Sequence, residues 1–257
     1  MAELGKYLYC VIQCVEDRTF DVAAIGGEDG VVHTVCHKGL AVVVSDSLVK
    51  QYESTRQNMM AHEKVIETVM REFTLLPVRF GTITDSASPL QDIQKLLGSR
   101  FEEFNRLLSE MEGKAELGIK AFWRNDKAIF DELVTENADI RRLRYFLSGK
   151  PHEATYFERI RLGAIVKEVL NRKKAGEAAK ILLPLRRVAH SVRENEVLAD
   201  RIVVNAAFLV DRDREPEFDQ AVRELDEQLG QRVALKYVGP APPYNFVNIV
   251  VNWKELG

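Results

Sequence analysis

The spacing of apolar residues changes along the chain, and this change limits the folds that the sequence can adopt. Apolar side chains alternate from Leu8 to Cys14, which predicts a strand with Leu8, Cys10, Ile12 and Cys14 on one face. Over residues 61–73 they recur every four positions, which predicts an amphipathic helix. The two periods together indicate a mixed α and β structure.

Further elements of the first half follow the same two patterns. Strands are predicted at 31–36, 40–44, 75–83 and 114–123, and one helix is predicted from Pro89 to Met111, with Ser88 as N-cap and Gly113 closing it. The resulting order is β-β-β-α-β-α-β. Because two helices alternate with apolar strands, we expect an α+β fold with an N-terminal ferredoxin-like α/β sandwich over residues 1–124.

The second half begins with a long helical pattern. Residues 125–198 are predicted to be helical, with breaks near 149–151, at Gly176 and at Pro184. A β-α-β pattern then covers strand 201–210, helix 218–229 and strand 233–238, followed by a proline-rich segment at 239–244 and a last strand at 245–253. We therefore expect a C-terminal domain over 125–257, with a helical region and a second, modified ferredoxin-like element.

Composition excludes several classes of protein. The 257 residues are 46% hydrophobic and carry a net charge of −3, which excludes a disordered chain and a globally basic nucleic-acid binder. No apolar run approaches the ~20 residues of a membrane-spanning helix, so no membrane partner is expected. Three cysteines and an N-terminus unlike a signal peptide predict a cytoplasmic protein.

The histidines and cysteines near the N-terminus form the most metal-like group. His33, Cys36 and His37 lie close in sequence, with Cys10 and Cys14 upstream. Neighbouring strand residues alternate between faces, however, so His33 and Cys36 are predicted to point apart. We therefore expect packed cysteines and exposed histidines, with no metal, cofactor or catalytic residue.

One stretch differs strongly in charge from the rest. Residues 141–193 contain fourteen Lys and Arg and four Asp and Glu, a net charge of +10, so the remaining residues sum to −13. This basic stretch predicts binding to an acidic protein partner, a nucleic acid or an anionic surface, or internal pairing with acidic elements of the same chain. Nucleic acid is the least favoured partner, because aromatic residues suited to base stacking are sparse among these charges. Arg79, within an apolar strand, is expected to form an internal ion pair. The candidate partner-binding residues are Arg141, Arg142, Arg172, Lys173, Lys174, Arg186 and Arg187.

Several segments together resemble the gas vesicle protein F/L family. The most specific are Ala61-His62-Glu63, the strand LLPVRFGT at 75–82 and the ending GP-x-PPY-x-F at 239–246. The similarity extends from residue 6 to about residue 250. Cys10 stands where a small residue is expected, and Ala241 stands where an aromatic residue is common.

The resemblance implies a non-enzymatic cytoplasmic protein of gas vesicles with two domains that contain ferredoxin-like elements. It also implies binding to the shell-forming gas vesicle protein A, and possibly to other gas vesicle proteins, which would limit shell-protein aggregation during nucleation. Two other hypotheses stay open from the sequence. One is a ligand-binding regulatory protein that uses a ferredoxin-like sheet, and the other is a metal or thiol enzyme centred on His33, Cys36 and His37.

Overall fold

A computed structural model describes residues 5–27, 30–48, 51–84, 87–197 and 199–255. Residues 1–4 lie outside the described residues; they begin the N-terminal segment that is predicted not to be a signal peptide. Leu198, the predicted end of the helical region, also lies outside the described residues. The described helices are α1 (Arg56–Met70), α2 (Pro89–Ser99), α3 (Phe101–Met111), α4 (Asp126–Glu136), α5 (Ala138–Leu147), α6 (Tyr156–Val188) and α7 (Glu215–Leu229).

Nine strands accompany these helices in the described part of the chain. They are β1 (Gly5–Gln13), β2 (Thr19–Phe20), β3 (Val32–His37), β4 (Leu40–Ser47), β5 (Leu75–Pro77), β6 (Lys114–Trp123), β7 (Ser191–Glu194), β8 (Ile202–Asp211) and β9 (Val233–Ala241). The chain forms two compact units: a first unit of residues 1–116 and 239–257, and a second unit of residues 117–238. The division into domains 1–124 and 125–257 stays a prediction.

The first unit is built on a five-stranded sheet in the order β2-β3-β4-β1-β5. The central strand β1 pairs antiparallel with β4 on one side and with β5 on the other. Val65, Ile66 and Val69 of α1 pack on one face of the sheet. Helices α2 and α3 contact β1, β3 and β4 but contribute nothing to that cluster, so they cover the opposite face. The sheet is therefore buried on both sides.

A β-bulge in β1 changes which side chains face α1. The register with β4 shifts between Leu8 and Cys10, so Tyr7 and Tyr9 join Cys10 and Ile12 in the core against α1. The predicted face of Leu8, Cys10, Ile12 and Cys14 is therefore wrong at Leu8, because a bulge inserts an extra residue and reverses the alternation on one side of it. This irregularity places the rings of both tyrosines beside His62 of α1.

The second unit is built on a four-stranded sheet in the order β7-β8-β6-β9. Strand β6, the first along this part of the chain, lies between β8 and β9, and β7 lies at the edge beside β8. This is ferredoxin-like connectivity. Trp123 of β6, Phe208 of β8 and Phe218 of α7 lie in one core with the buried face of α6. The fold is α+β with two antiparallel sheets, as predicted.

Several element boundaries differ from the predictions. Helix α6 continues through Gly176 and Pro184, because Ile181, Leu182 and Leu185 around them are buried against the sheet and outweigh the local helix-breaking tendency. The predicted helix over 89–111 is two helices that meet at Arg100. Strand β7 lies inside the range predicted to be helical.

Two predicted strands are shorter or absent. Of residues 75–83, only Leu75–Pro77 form a strand, since Gly81 adopts a positive φ of 81° and turns the chain. Residues 245–253 form no strand; Val78 and Ile249 make a single parallel backbone bridge instead. Among the described residues, no helix combines the length and apolar character needed to cross a membrane.

Candidate functional site

Three distant segments of the first unit converge on one cleft. It has a volume of about 320 Å³, and α1, the end of β5 and the C-terminal segment line it. The lining residues are Met59, His62, Glu63, Pro77, Val78, Arg79, Phe80, Tyr244, Val247, Asn248 and Ile249. Most of these side chains are apolar, so the cleft presents mainly apolar surface to a ligand.

His62 forms the buried polar base of this cleft. Its Nδ1 lies 3.0 Å from the Tyr7 hydroxyl, and the Gly81 amide donates to the same hydroxyl at 3.0 Å. The ring also hydrogen-bonds the Val78 backbone. Burial lowers the pKa of His62 to about 4, which keeps the ring neutral at physiological pH.

The bulge described above also fixes Tyr9 beside His62. The two rings stack with centroids 5.7 Å apart. The Ile25 amide donates to the Tyr9 hydroxyl at 2.9 Å, and that hydroxyl is hydrogen-bonded to Ser45 Oγ at 2.9 Å. Because these buried polar groups are already paired, they support the cleft rather than offer bonds to a ligand.

The C-terminal segment is attached to the first unit by side-chain hydrogen bonds. Tyr244 donates to Glu63 at 2.7 Å, and Asn245 donates twice to Glu116, from Nδ2 at 2.6 Å and from the backbone at 2.9 Å. Burial raises the pKa of both carboxyl groups, although these hydrogen bonds act in the opposite direction. Trp253 provides a further attachment, since its Nε1 donates to the Ile83 carbonyl at 2.7 Å.

Arg79 at the rim of the cleft differs from its prediction. Its side chain is exposed, and among the described residues no ion pair to its guanidinium is found. The predicted internal ion pair is thus not found among the residues that the structure describes. The chain leaves the strand after Pro77, so residue 79 no longer alternates into the sheet.

Of the metal-like residues, Cys14 and Cys36 come together, because their thiols contact the same backbone carbonyl. Cys10 is fully buried, and burial raises the pKa of its thiol far above the usual range. Cys14 and Cys36 are half-buried and donate to the Glu16 carbonyl. In the part of the chain that the structure describes, no three His, Cys, Asp or Glu side chains form a group that could hold a metal ion.

The seven candidate basic residues are spread over α5 and α6 of the second unit. Most contact acidic side chains of the same unit: Arg142 pairs with Asp139, Arg172 with Glu168, Lys173 with Glu132 and Glu136, Lys174 with Asp200, and Arg186 with Glu194. Arg141 donates to the Thr135 carbonyl. Arg187 is exposed and has no ion pair with any described residue. Their role in partner binding stays a prediction.

The most connected charges of the second unit are outside that candidate set. Arg232 donates two hydrogen bonds to Glu132, at 2.6 and 2.7 Å, and one to the buried Glu177 at 3.0 Å. Its guanidinium also lies 5.2 Å from the centre of the Trp123 ring. Hydrogen bonds from Arg232 lower the pKa of Glu132 to about 2. Lys173 joins this network through Glu132, so it belongs to the interior ion pairs.

Large apolar side chains are exposed where α5 leads into α6. We call this set the aromatic corner, and its members are Tyr145, Phe146, Tyr156, Phe157 and Ile160. Tyr145 is 86% exposed and Phe157 is 79% exposed. Between residues 141 and 167 the chain carries seven Lys and Arg against two Glu. An apolar surface surrounded by positive charge is typical of a protein-binding site rather than of a solvated helix.

Comparisons with known proteins agree with the fold. A sequence profile described as "Gas vesicle synthesis protein GvpL/GvpF" matches residues 5–248. The chain belongs to this family. Gas vesicle protein F of Microcystis aeruginosa is 27% identical over 249 residues, covering 96% of this chain and 99% of that protein. Gas vesicle protein F1 of Halobacterium salinarum is 27% identical over 252 residues, covering 97% and 95%.

A solved structure supports the same assignment. The crystal structure of the gas vesicle protein GvpF from Anabaena sp. PCC7120 matches with a TM-score of 0.81 and 26% identity, covering 96% of this chain and 100% of that chain. All three segments that carry the GvpL/GvpF resemblance contribute residues to the cleft: His62 and Glu63, 77–80, and Tyr244. Sequence reasoning identified these segments but not their convergence. Sequence reasoning also missed the aromatic corner, although the sequence shows its aromatic residues near the end of one helix and the start of the next.

Proposed function

We propose that this protein acts in gas vesicle formation by binding the shell-forming gas vesicle protein A and limiting its aggregation during nucleation. It acts by protein contact rather than catalysis, in the cytoplasm and at the vesicle, and other gas vesicle proteins are further partners. The aromatic corner is the observation that carries this proposal, since its side chains are exposed and apolar. Membership of the GvpL/GvpF family supports a role in gas vesicle formation.

The physical need for such a contact follows from the chemistry of shell subunits. A subunit that assembles into a hydrophobic shell has unpaired apolar strands before assembly, and such strands aggregate. The aromatic corner offers apolar contact, and the basic stretch attracts an acidic surface and orients it. Arg141 and Arg142 are exposed on α5, the helix that carries Tyr145 and Phe146, and Arg187 is exposed without an ion pair to any described residue. These three members of the candidate set are therefore the ones best placed to contribute.

The experiment compares variants that leave the Arg232 network intact. Wild-type protein, Phe157→Ser and the triple variant Arg141→Glu, Arg142→Glu, Arg187→Glu are each tested for pulldown of gas vesicle protein A. Light scattering then follows aggregation of that protein on dilution from denaturant. Lys173→Glu is set apart because it breaks the pairs with Glu132 and Glu136 and so tests stability instead.

Leu183→Ser is the matched control. Leu183 is 59% exposed on the same helix but about 39 Å from Phe157 along the helix axis. We expect Phe157→Ser to reduce capture and to restore aggregation, while Leu183→Ser behaves as wild type. Equal behaviour of the two variants would remove the aromatic corner from the interface, and undiminished capture by the triple variant at low salt would remove the three arginines.

A further inference from the structure

The cleft of the first unit has the features of a second binding site. Its volume of about 320 Å³ is at the lower end of the range of about 300–1,000 Å³ that is typical of ligand sites. That volume fits one or two side chains better than a whole helix. Phe80, Val247 and Ile249 contribute apolar walls, whereas the imidazole of His62 is already committed to hydrogen bonds within the unit. The part of a ligand that enters the cleft must therefore be apolar.

The mouth of the cleft adds a polar requirement. Arg79 lies at the rim with an exposed guanidinium that forms no ion pair with the described residues. The other charge in the lining, Glu63, already accepts a hydrogen bond from Tyr244. The charged group that a ligand can contact at the mouth is therefore the Arg79 guanidinium. This favours a ligand with a negative group next to its apolar part.

The side of the cleft formed by α1 is adaptable. Met59 lines the cleft and is 51% exposed. Methionine is flexible and polarizable, and exposed methionines are used where a surface accepts apolar side chains of different shapes. An exposed methionine beside an apolar cleft therefore favours a polypeptide ligand over a rigid small molecule.

We infer that the cleft binds a polypeptide segment in which a large apolar side chain is followed by an acidic one. The apolar side chain enters between Met59 and Ile249, and the carboxylate pairs with Arg79. This site belongs to the first unit and is separate from the aromatic corner of the second unit. One molecule can therefore hold two polypeptide segments by different surfaces.

The test uses three fluorescein-labelled peptides of twelve residues. One has a central Phe-Asp pair in a Gly-Ser background, one has Ser-Asp and one has Phe-Lys at the same place. Fluorescence anisotropy gives the affinity for the full-length protein. We expect the Phe-Asp peptide to bind at least about tenfold more tightly than the other two, because each lacks one of the two contacts. Equal affinities, or no binding of the Phe-Asp peptide, would overturn the inference.

Matched variants locate the binding. Met59→Ser and Arg79→Glu should each weaken binding of the Phe-Asp peptide by about tenfold, whereas Met60→Ser and Arg71→Glu should not. The controls also lie in or after α1 and are exposed, but they do not line the cleft. Equal losses in all four variants would overturn the inference. Phe157→Ser should leave peptide binding unchanged, so a failure of the proposed function is distinguishable from a failure here.

A second readout shows where the peptide contacts the protein. The chain has five methionines, whose methyl carbons give separate NMR signals after labelling. The Met59 methyl signal should shift on addition of the Phe-Asp peptide and the Met60 signal should not. A shift confined to methionines outside the cleft would contradict the proposed site.

Discussion

The Tyr244 hydroxyl donates a hydrogen bond to the Glu63 carboxylate at 2.7 Å, although 181 positions separate the two residues. This bond fastens the proline-rich ending to α1 at the edge of the cleft. Burial raises the pKa of Glu63, so the ionised carboxylate lowers the stability of the fold unless a donor compensates for it. Tyr244 is that donor.

Removal of the Tyr244 hydroxyl should therefore weaken the attachment of the C-terminal segment. We expect Tyr244→Phe to lower the free energy of unfolding by about 1 kcal/mol at pH 7, because Glu63 then loses its donor. Because the folded-state pKa of Glu63 is raised, its carboxylate lowers stability only as pH rises through that pKa. The difference in the free energy of unfolding between wild type and Tyr244→Phe should therefore shrink at pH 4. Urea denaturation at both pH values measures it. Tyr145→Phe, at an exposed position, is the control and should be neutral.

The Arg232 network should be the main electrostatic contribution to the second unit. Arg232→Met leaves Glu132 and the buried Glu177 without their main partner, which should cost about 2 kcal/mol at pH 7. The pKa of Glu132 is lowered to about 2. The ionised carboxylate therefore stabilises the fold when the pH is above the ordinary pKa of a glutamate, and this stabilisation is lost as pH falls toward 2.

The difference between wild type and Arg232→Met should therefore narrow from pH 7 to pH 3 in chemical denaturation. Arg223→Met serves for comparison, since Arg223 donates to Gln220 and forms no ion pair with any described residue. It should change the free energy of unfolding by less than about 0.5 kcal/mol. A pH-independent difference for Arg232→Met would show that lost packing on Trp123, not charge, accounts for the effect.

His62 should make the first unit sensitive to mild acid. Its pKa is lowered from about 6.5 to about 4 in the folded state. The neutral ring therefore contributes stability above pH 6.5, and up to about 3 kcal/mol is lost as pH falls through 4. His62→Gln cannot titrate, so its stability should decline less than that of wild type between pH 7 and pH 4.5. An NMR titration of the His62 ring with a midpoint near 6.5 would contradict this prediction.

Exposed and buried aromatic residues should differ sharply in their contribution to stability. Phe157→Ser should change the free energy of unfolding by less than about 0.5 kcal/mol, since 79% of Phe157 is exposed. Phe218→Ala should cost about 4 kcal/mol, because Phe218 is fully buried and packs 5.1 Å from Phe208. Thermal and urea unfolding measure both. A large cost for Phe157→Ser would mean that the aromatic corner is part of the folded core.

The sequence predicted most elements because their hydrophobic periods are local. The helix around Val65 and Val69 and the buried strand around Phe208 follow from spacing alone. The errors arise where distant contacts outweigh local tendency. Pro184 would end an isolated helix, but burial of Leu182 and Leu185 keeps it within α6.

The candidate sites depend on pairings between distant residues, which spacing does not reveal. Glu132 and Arg232 are 100 positions apart, and their pairing decides that the neighbouring Lys173 faces inward. The bulge at Tyr9 depends on the register of β1 with β4, so the placement of both tyrosines beside His62 was not predictable either. Charge composition identifies the basic stretch but cannot separate its paired from its unpaired members.

The first unit contains residues from both sides of the second unit, and this has a consequence for biosynthesis. A ribosome completes residues 117–238 before it makes Tyr244, Asn245 and Ile249. The second unit can therefore fold while the chain is still being made, whereas the cleft acquires its last wall only after residues 244–249 have been made. On a nascent chain the cleft lacks this wall. Partners that need the complete cleft can therefore bind there only after the chain has been synthesised through residue 249.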